Sequence, residues 1–250
     1  MKKIMNTLRL TGILFAVGLS LFVGGVATAT TIIVPNSLAS VEGNINNDWP
    51  FSIGGVPESM RYQEVFGAPQ FPGPGLITQI AFRPDGTYGL PFTLTLANVQ
   101  IDLSTTSEGP DGLSNTFANN VGADDTVVYT GALALSSTDT GPPGGPKAFD
   151  IVITLQTPFY YDPAAGNLLL DVRNFLDGGT TVFDAEDTSG DSISRVFSYD
   201  VTAATGVYDT LGLVAQFTTT AVPEPSTMLL LGSGLIGLAG YGRKKFRGKR

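Results

Sequence analysis

Proline and glycine punctuate the middle of this chain so densely that helices of ordinary length have no room. Between residues 30 and 221, Pro72-Gly73-Pro74-Gly75, Pro84-Asp85-Gly86, Pro110-Asp111-Gly112, Pro142-Pro143-Gly144-Gly145 and Asp177-Gly178-Gly179 each mark a turn. Proline presets φ at the first turn position, and glycine supplies the positive φ that other residues resist. The short runs between these stops alternate or stay apolar, at 31–34, 61–66, 76–82, 92–103, 126–135, 149–155, 168–173, 180–183, 193–199 and 211–218. No segment of ten residues there carries a helical period. The pattern predicts an all-β domain, an antiparallel β-sandwich of jelly-roll-like form with roughly eight to ten strands. A parallel β-helix ranks second, but no repeat of constant length supports it.

The two ends follow a different grammar. Residues 1–29 open with Lys2-Lys3, continue through an apolar stretch at 13–26 and close on Ala27-Thr28-Ala29. A basic start, an apolar centre and a small-x-small site make a secretory signal peptide, with Ala27 and Ala29 in the small positions and cleavage after Ala29. An uncleaved anchor helix is the alternative, but Gly18, Gly24 and Gly25 weaken a permanent helix. At the other end, Val222-Pro223-Glu224-Pro225-Ser226 precedes an apolar run at 228–241 and then Arg243-Lys244-Lys245-Phe246-Arg247-Gly248-Lys249-Arg250. The prolines keep the first part extended, since neither donates a backbone N–H and each disfavours helix in the residue before it. The apolar run is short against the roughly 20 residues of a typical span, a deficit that snorkelling side chains and local thinning absorb. The cations led by Arg243, Lys244 and Lys245 are a stop-transfer cluster and keep the extreme C-terminus cytoplasmic. The chain therefore divides into a signal peptide (1–29), an exported domain (30–221) and a tail with one short transmembrane helix (222–250).

Charge and missing residue types exclude whole classes of chemistry. Residues 30–221 hold 21 of the 22 carboxylates against five cations, Arg61, Arg83, Lys147, Arg173 and Arg195. So acidic a domain is repelled by phosphate backbones, which argues against nucleic acid as a partner. There is no His and no Cys. That removes Ser-His-Asp and Cys-His catalysis, imidazole- or thiolate-held zinc, iron–sulfur clusters and disulfides. Carboxylate chemistry, oxygen-ligated metals and binding remain.

The tail resembles the PEP-CTERM protein-sorting motif. The residues that carry the likeness are Val222-Pro223-Glu224-Pro225-Ser226, the Gly-rich run Leu229-Leu230-Leu231-Gly232-Ser233-Gly234-Leu235-Ile236-Gly237-Leu238-Ala239-Gly240, and Arg243-Lys244-Lys245. The same tail is also catalogued as an ice-binding-protein C-terminal motif, a label that says nothing about the exported domain. The resemblance implies an exosortase-type membrane protease as partner and Pro223, Glu224 and Pro225 as the sorting motif. Within the domain, Arg61-Tyr62-Gln63-Glu64-Val65-Phe66, Ile77-Thr78-Gln79-Ile80-Ala81-Phe82-Arg83, Phe149-Asp150-Ile151-Val152-Ile153 and Gly166-Asn167-Leu168-Leu169-Leu170-Asp171-Val172 resemble a recurring class of PEP-CTERM ectodomain. That second likeness implies a jelly-roll-like sandwich and transfers no activity.

Three chemistries have residue support. Asp184, Glu186, Asp187 and Asp191 lie on one acidic stretch and are candidate Ca²⁺ ligands, although the spacing is not an EF-hand: Ser189 and Arg195 stand where that loop needs Gly and Glu. A solvated acidic turn is the plainer reading, and Asp124-Asp125 is a weaker copy. Trp49, Tyr62, Tyr88, Tyr160, Tyr161 and Tyr208 are candidate sugar platforms or, alternatively, core plugs. Glycoside hydrolysis needs two carboxylates roughly 5–10 Å apart, a condition that 21 carboxylates satisfy somewhere by chance. No motif assigns acid and base roles, so no catalytic residue is named and an enzyme is not expected. Ice binding would need a flat regular threonine array, and Thr93, Thr95 and Thr218-Thr219-Thr220 are isolated. The expectation is an exported, exosortase-sorted β-sandwich, transiently anchored in the inner membrane and then placed at the cell surface or in an exopolysaccharide or biofilm matrix, with a structural or adhesive role. A glycan-binding module is the alternative, and a carbohydrate-active enzyme a distant one.

Overall fold

The computed structural model describes residues 29–52, 59–176 and 178–222, together with Gly232 and Gly234. Among the described residues the chain forms β1 (Ala29–Val34), β2 (Ile45–Asn47), β3 (Met60–Phe66), β4 (Gly75–Phe82), β5 (Phe92–Thr106), β6 (Thr126–Ser137) and β7 (Ile151–Tyr161). It continues with β8 (Asn167–Asn174), β9 (Phe183–Asp187), β10 (Ile193–Ser198), β11 (Val207–Asp209), β12 (Leu211–Leu213) and β13 (Ala215–Ala221). One four-residue helix, α1 (Phe117–Asn120), sits in the connection between β5 and β6.

Every strand pairing is antiparallel. One sheet has the order β1-β13-β4-β7, a second β11-β10-β3-β8-β5-β6, and a third, small sheet β12-β9-β2. Ile80, Ile153 and Phe217 from the first sheet share one buried cluster with Phe66, Ile101 and Leu170 from the second. That packing is a β-sandwich, built on the alternation in which residues i and i+2 share a face. Phe217 lies edge-on to Phe66, with ring centroids 4.9 Å apart.

Leu168-Leu169-Leu170 does not alternate because the six-stranded sheet is covered on both faces. Leu168 and Leu170 face the sandwich core, while Leu169 joins Val65, Val196, Leu113 and Phe117 in a second cluster under the segment that carries α1. Strands buried on both faces read as continuous apolar runs. Burying three apolar residues in a row is thus a consequence of the layer outside the sheet.

The expected strands appear with two corrections. The strand expected at 180–183 begins instead at Phe183 and runs through the acidic residues to Asp187, because its backbone pairs with β2 and β12 and its carboxylates take neighbouring N–H groups. The run at 211–218 is split into β12 and β13, with Val214 N–H turned to Asp184 C=O at the break. β2 and β11 have no apolar alternation and exist through pairing alone. Among the described residues no helix is long and apolar enough to cross a membrane. Of the end segments, Ala29 is described as the first residue of β1, and Gly232 and Gly234 are helical. Ala27, Pro223, Glu224, Pro225, Arg243, Lys244 and Lys245 lie outside the described residues.

Candidate functional site

Three carboxylates from distant segments converge at one end of β4. Glu42 follows β1, Asp85 follows β4 and Asp184 is in β9, and one oxygen of each lies within 4.8 Å of the others. Local geometry fixes each. Asp85 Oδ1 accepts the N–H groups of Thr87 and Tyr88 at 2.9 and 2.6 Å, the usual Asx closure of a Pro-Asp-Gly turn. Glu42 Oε1 accepts Gly86 N–H at 2.6 Å, and its buried Oε2 has no partner. Asp184 accepts Gly43 N–H at 2.9 Å and Arg83 Nε at 2.6 Å. Burial pushes the Asp184 carboxyl up to about 7, against the pull of Arg83 and with the charge of Glu42 adding to the rise.

Oxygen-only ligands suit a hard cation, but Ca²⁺ takes about six to eight oxygens and this set supplies three carboxylates. Arg83 already brings a positive charge to Asp184 and is itself held by the carbonyls of Leu38 and Val41. The fit to a metal is therefore partial. The four residues expected on the acidic stretch do not gather. Asp184 turns to Arg83, Glu186 receives the Asn44 side chain at 2.8 Å, Asp187 takes the Thr210 hydroxyl, and Asp191 caps Ile193 N–H at 2.8 Å. Along β9, Asp187 points away from the face that Asp184 and Glu186 share, those two reach different partners, and Asp191 lies beyond the strand, so the four carboxylates disperse. Glu42 and Asp85 carry no sequence motif for a site; Asp85 is legible only as a turn residue.

Two further polar groups are buried in the six-stranded sheet. On its outer face Arg61 meets Asp171 at 2.6 Å, Arg173 meets Asp102 at 3.0 Å, and Gln63 bridges Asp171 and Asn120. Phe117 lies under the Arg61 guanidinium, 4.5 Å from ring centroid to Cζ. Burial raises the Asp102 carboxyl to about 6, opposed by Gln100 and Arg173. On the inner face Glu64 is fully buried, with Oε2 accepting the Tyr62 hydroxyl at 2.8 Å and Oε1 unpartnered. Its desolvation holds the carboxyl well above the usual range.

The candidate aromatic platforms separate cleanly. Tyr62 and Tyr161 are core residues. Tyr208 hydrogen-bonds Asp111, and burial followed by that carboxylate pushes its hydroxyl up to about 12. Tyr88 and Tyr160 are exposed but stand apart from other rings. Trp49 belongs to a cluster that sequence reading did not assemble: its ring lies 4.5 Å from Phe197 and 5.1 Å from the half-exposed Tyr199. Arg195, held by both oxygens of Asp209, stacks at 4.9 Å on Trp49 and on Phe197. Asp124 is likewise absorbed locally, capping Thr105 N–H at 2.7 Å.

The last described strand joins the two ends of the β-sandwich domain. β13 runs between β1 and β4, with Ala29 opposite Thr220 and Ala221 opposite Gly75. Val222 follows as an exposed residue. Residues 221–244 match the family model of the PEP-CTERM protein-sorting motif. No curated protein and no solved structure matches the chain.

Proposed function

We propose, from the PEP-CTERM sorting motif that this chain carries, that it is the cargo of an exosortase-type sorting route. The exported β-sandwich is held in the inner membrane by its tail, with the basic end cytoplasmic, until processing near Pro223-Glu224-Pro225 sends it to the cell surface or extracellular matrix. One observation supports this above the rest: the motif match begins at 221, the last residue of β13. The folded domain ends where the address begins, so losing the tail costs the sheet nothing. The partners in this reading are an exosortase-type protease and, before processing, the membrane. The domain's own role is structural or adhesive within exopolysaccharide or biofilm matrix, without catalysis.

Glu224 supplies the test. The sequence places Glu224 between two prolines, which disfavour helix, so its carboxylate is taken as a contact for the processing enzyme. A charge-assisted hydrogen bond of that kind is worth about 1.5–3 kcal/mol, roughly tenfold to hundredfold in rate. Glu224→Gln in an exosortase-bearing host should accumulate membrane-bound precursor on a blot, with export and domain stability unchanged. Processing at the native rate would make Glu224 a spacer.

A glycan-binding role is the second reading, favoured by the Trp49–Phe197–Tyr199 cluster, where the exposed Tyr199 and the partly exposed Trp49 pack on the buried Phe197. Tyr199→Ala should then reduce retention of the mature protein on the host's own exopolysaccharide while leaving its melting point nearly unchanged. Retention equal to the parent's removes this reading.

A further inference from the structure

The bond that the sequence marks for leader removal, between Ala29 and Thr30, lies inside β1. Ala29 and Thr30 pair with Thr220 and Thr219, and the register continues unbroken to Val34 opposite Ala215. The Thr219 hydroxyl also reaches the Thr30 carbonyl, at 3.4 Å. The first three side chains of β1 are exposed, but Ile32 and Val34 are core residues at 7% and 0% exposure, and Ile32 stands opposite Phe217.

A peptidase binds its substrate as an extended segment, with residues on both sides of the scissile bond in its own cleft. The end of an edge strand frays at little cost. Freeing Ala29 and Thr30 alone, however, does not seat the residues that follow, and freeing those through Ile32 pulls a core side chain into water. The unpaired side of β1 is also hemmed in. Asn36 holds Gln70 through bonds of 2.7 and 3.1 Å, and a groove of about 500 Å³ between the two loops runs along Thr30, Thr31 and Ile32.

We propose that β13 is a closing strap over the leader-cleavage site. The Ala29–Thr30 bond is cut only while β13 is still outside the sheet, and docking of β13 against β1 then seals it. The cut is an ordinary hydrolysis: water adds across the peptide, leaving a carboxylate on Ala29 of the leader and an ammonium group on Thr30. β13 is the last strand of the domain, and chains are made and delivered N-terminus first. The window for leader removal therefore stays open until the whole domain has crossed. Closure also fixes Ala221, two residues before Pro223, so the fold orders three events: leader removal, sheet closure, tail processing. This rests on the reading that the leader is removed after Ala29.

The test uses the full chain in a host whose signal peptidase is depleted and then restored, with conversion of stored precursor followed by pulse-chase. A second chain carries a Gly-Ser spacer of about six residues between Thr30 and Thr31, which moves the bond out of the sheet and leaves Ile32 and Val34 in place. Stored parent precursor should convert at least about tenfold more slowly than freshly made parent, a difference of about 1.4 kcal/mol in barrier. Stored spacer precursor should convert as fast as fresh. Equal rates for stored and fresh parent overturn the proposal, and so does a stored spacer precursor as slow as the stored parent. N-terminal sequencing of the mature product separates the two premises: a start other than Thr30 means that the leader reading itself fails and takes the strap with it.

Discussion

Replacing Glu64 by Gln should change how the stability of the domain depends on pH. Glu64 is at 0% exposure, its Oε2 accepts the Tyr62 hydroxyl, and burial raises its carboxyl well above the usual 4.5, against the pull of Tyr62 and Arg195. In the unfolded chain the same group ionises near the usual value, so between the two pKa values folding takes up a proton. The unfolded state then binds fewer protons than the native state, and stability falls as pH rises through that window. The slope for one proton is about 1.4 kcal/mol per pH unit. Gln cannot titrate, so the difference between parent and variant isolates this one group from Asp102, Asp184 and Asp191, which titrate in both. Between the two pKa values the parent should lose stability relative to Glu64→Gln as pH rises, at up to that slope. At roughly 2–4 °C per kcal/mol for a domain of this size, that slope is about 3–6 °C in relative melting point per pH unit. The variant starts with a constant penalty of about 1–3 kcal/mol, because its amide N–H groups replace an oxygen that has no partner. Only the slope is diagnostic. Thermal unfolding from pH 5 to pH 8 by circular dichroism measures it, and parallel curves would refute the argument that burial holds Glu64 neutral.

Phe117→Ala removes the ring that covers Val65, Val196 and Leu169 and stacks on Arg61, so urea unfolding should show a loss of about 3–5 kcal/mol. Gly43→Ala places a Cβ 2.0 Å from the Ala185 carbonyl oxygen, a backbone atom that cannot yield freely. A lower denaturant midpoint is expected, by about 1–3 kcal/mol or more, while native-like stability would mean that the β2–β9 connection adapts. Deleting residues 243–250 removes the positive-inside cluster, and the domain should appear unprocessed in the periplasm; normal retention and cleavage in fractionated cells would contradict a stop-transfer role.

Strands with an apolar face were legible in the sequence because a half-buried sheet writes its period into the chain. β4, with Ile80 and Phe82 inward, and β7, with Ile151 and Ile153 inward, are of this kind. β2 and β11 were not legible: each is three residues long and held by its neighbours, so nothing in Ile45-Asn46-Asn47 distinguishes a strand from a loop. The sorting tail was readable because its order of proline motif, apolar run and basic end is a local property. The carboxylate convergence was not, since Glu42, Asp85 and Asp184 meet only after three separate segments close on one another. Proximity in sequence pointed instead to Glu186, Asp187 and Asp191, which find separate local partners. Trp49 stood out as a lone aromatic, but its neighbours Phe197 and Arg195 come from β10, and only the register of that strand brings them beneath it.

The position of β13 has a mechanical consequence. The strand that leads to the anchor has a hydrogen-bonded neighbour on each side, β1 and β4, and both pairings are antiparallel. Ladder bonds lie perpendicular to the strand axis. A pull applied at Val222 along that axis loads the bonds of both ladders in shear and together, instead of opening them one at a time as in a zipper. A load on the domain that enters through Val222 is therefore met by the whole length of two ladders. A domain held by this strand resists tearing there more than it would if either neighbour were missing.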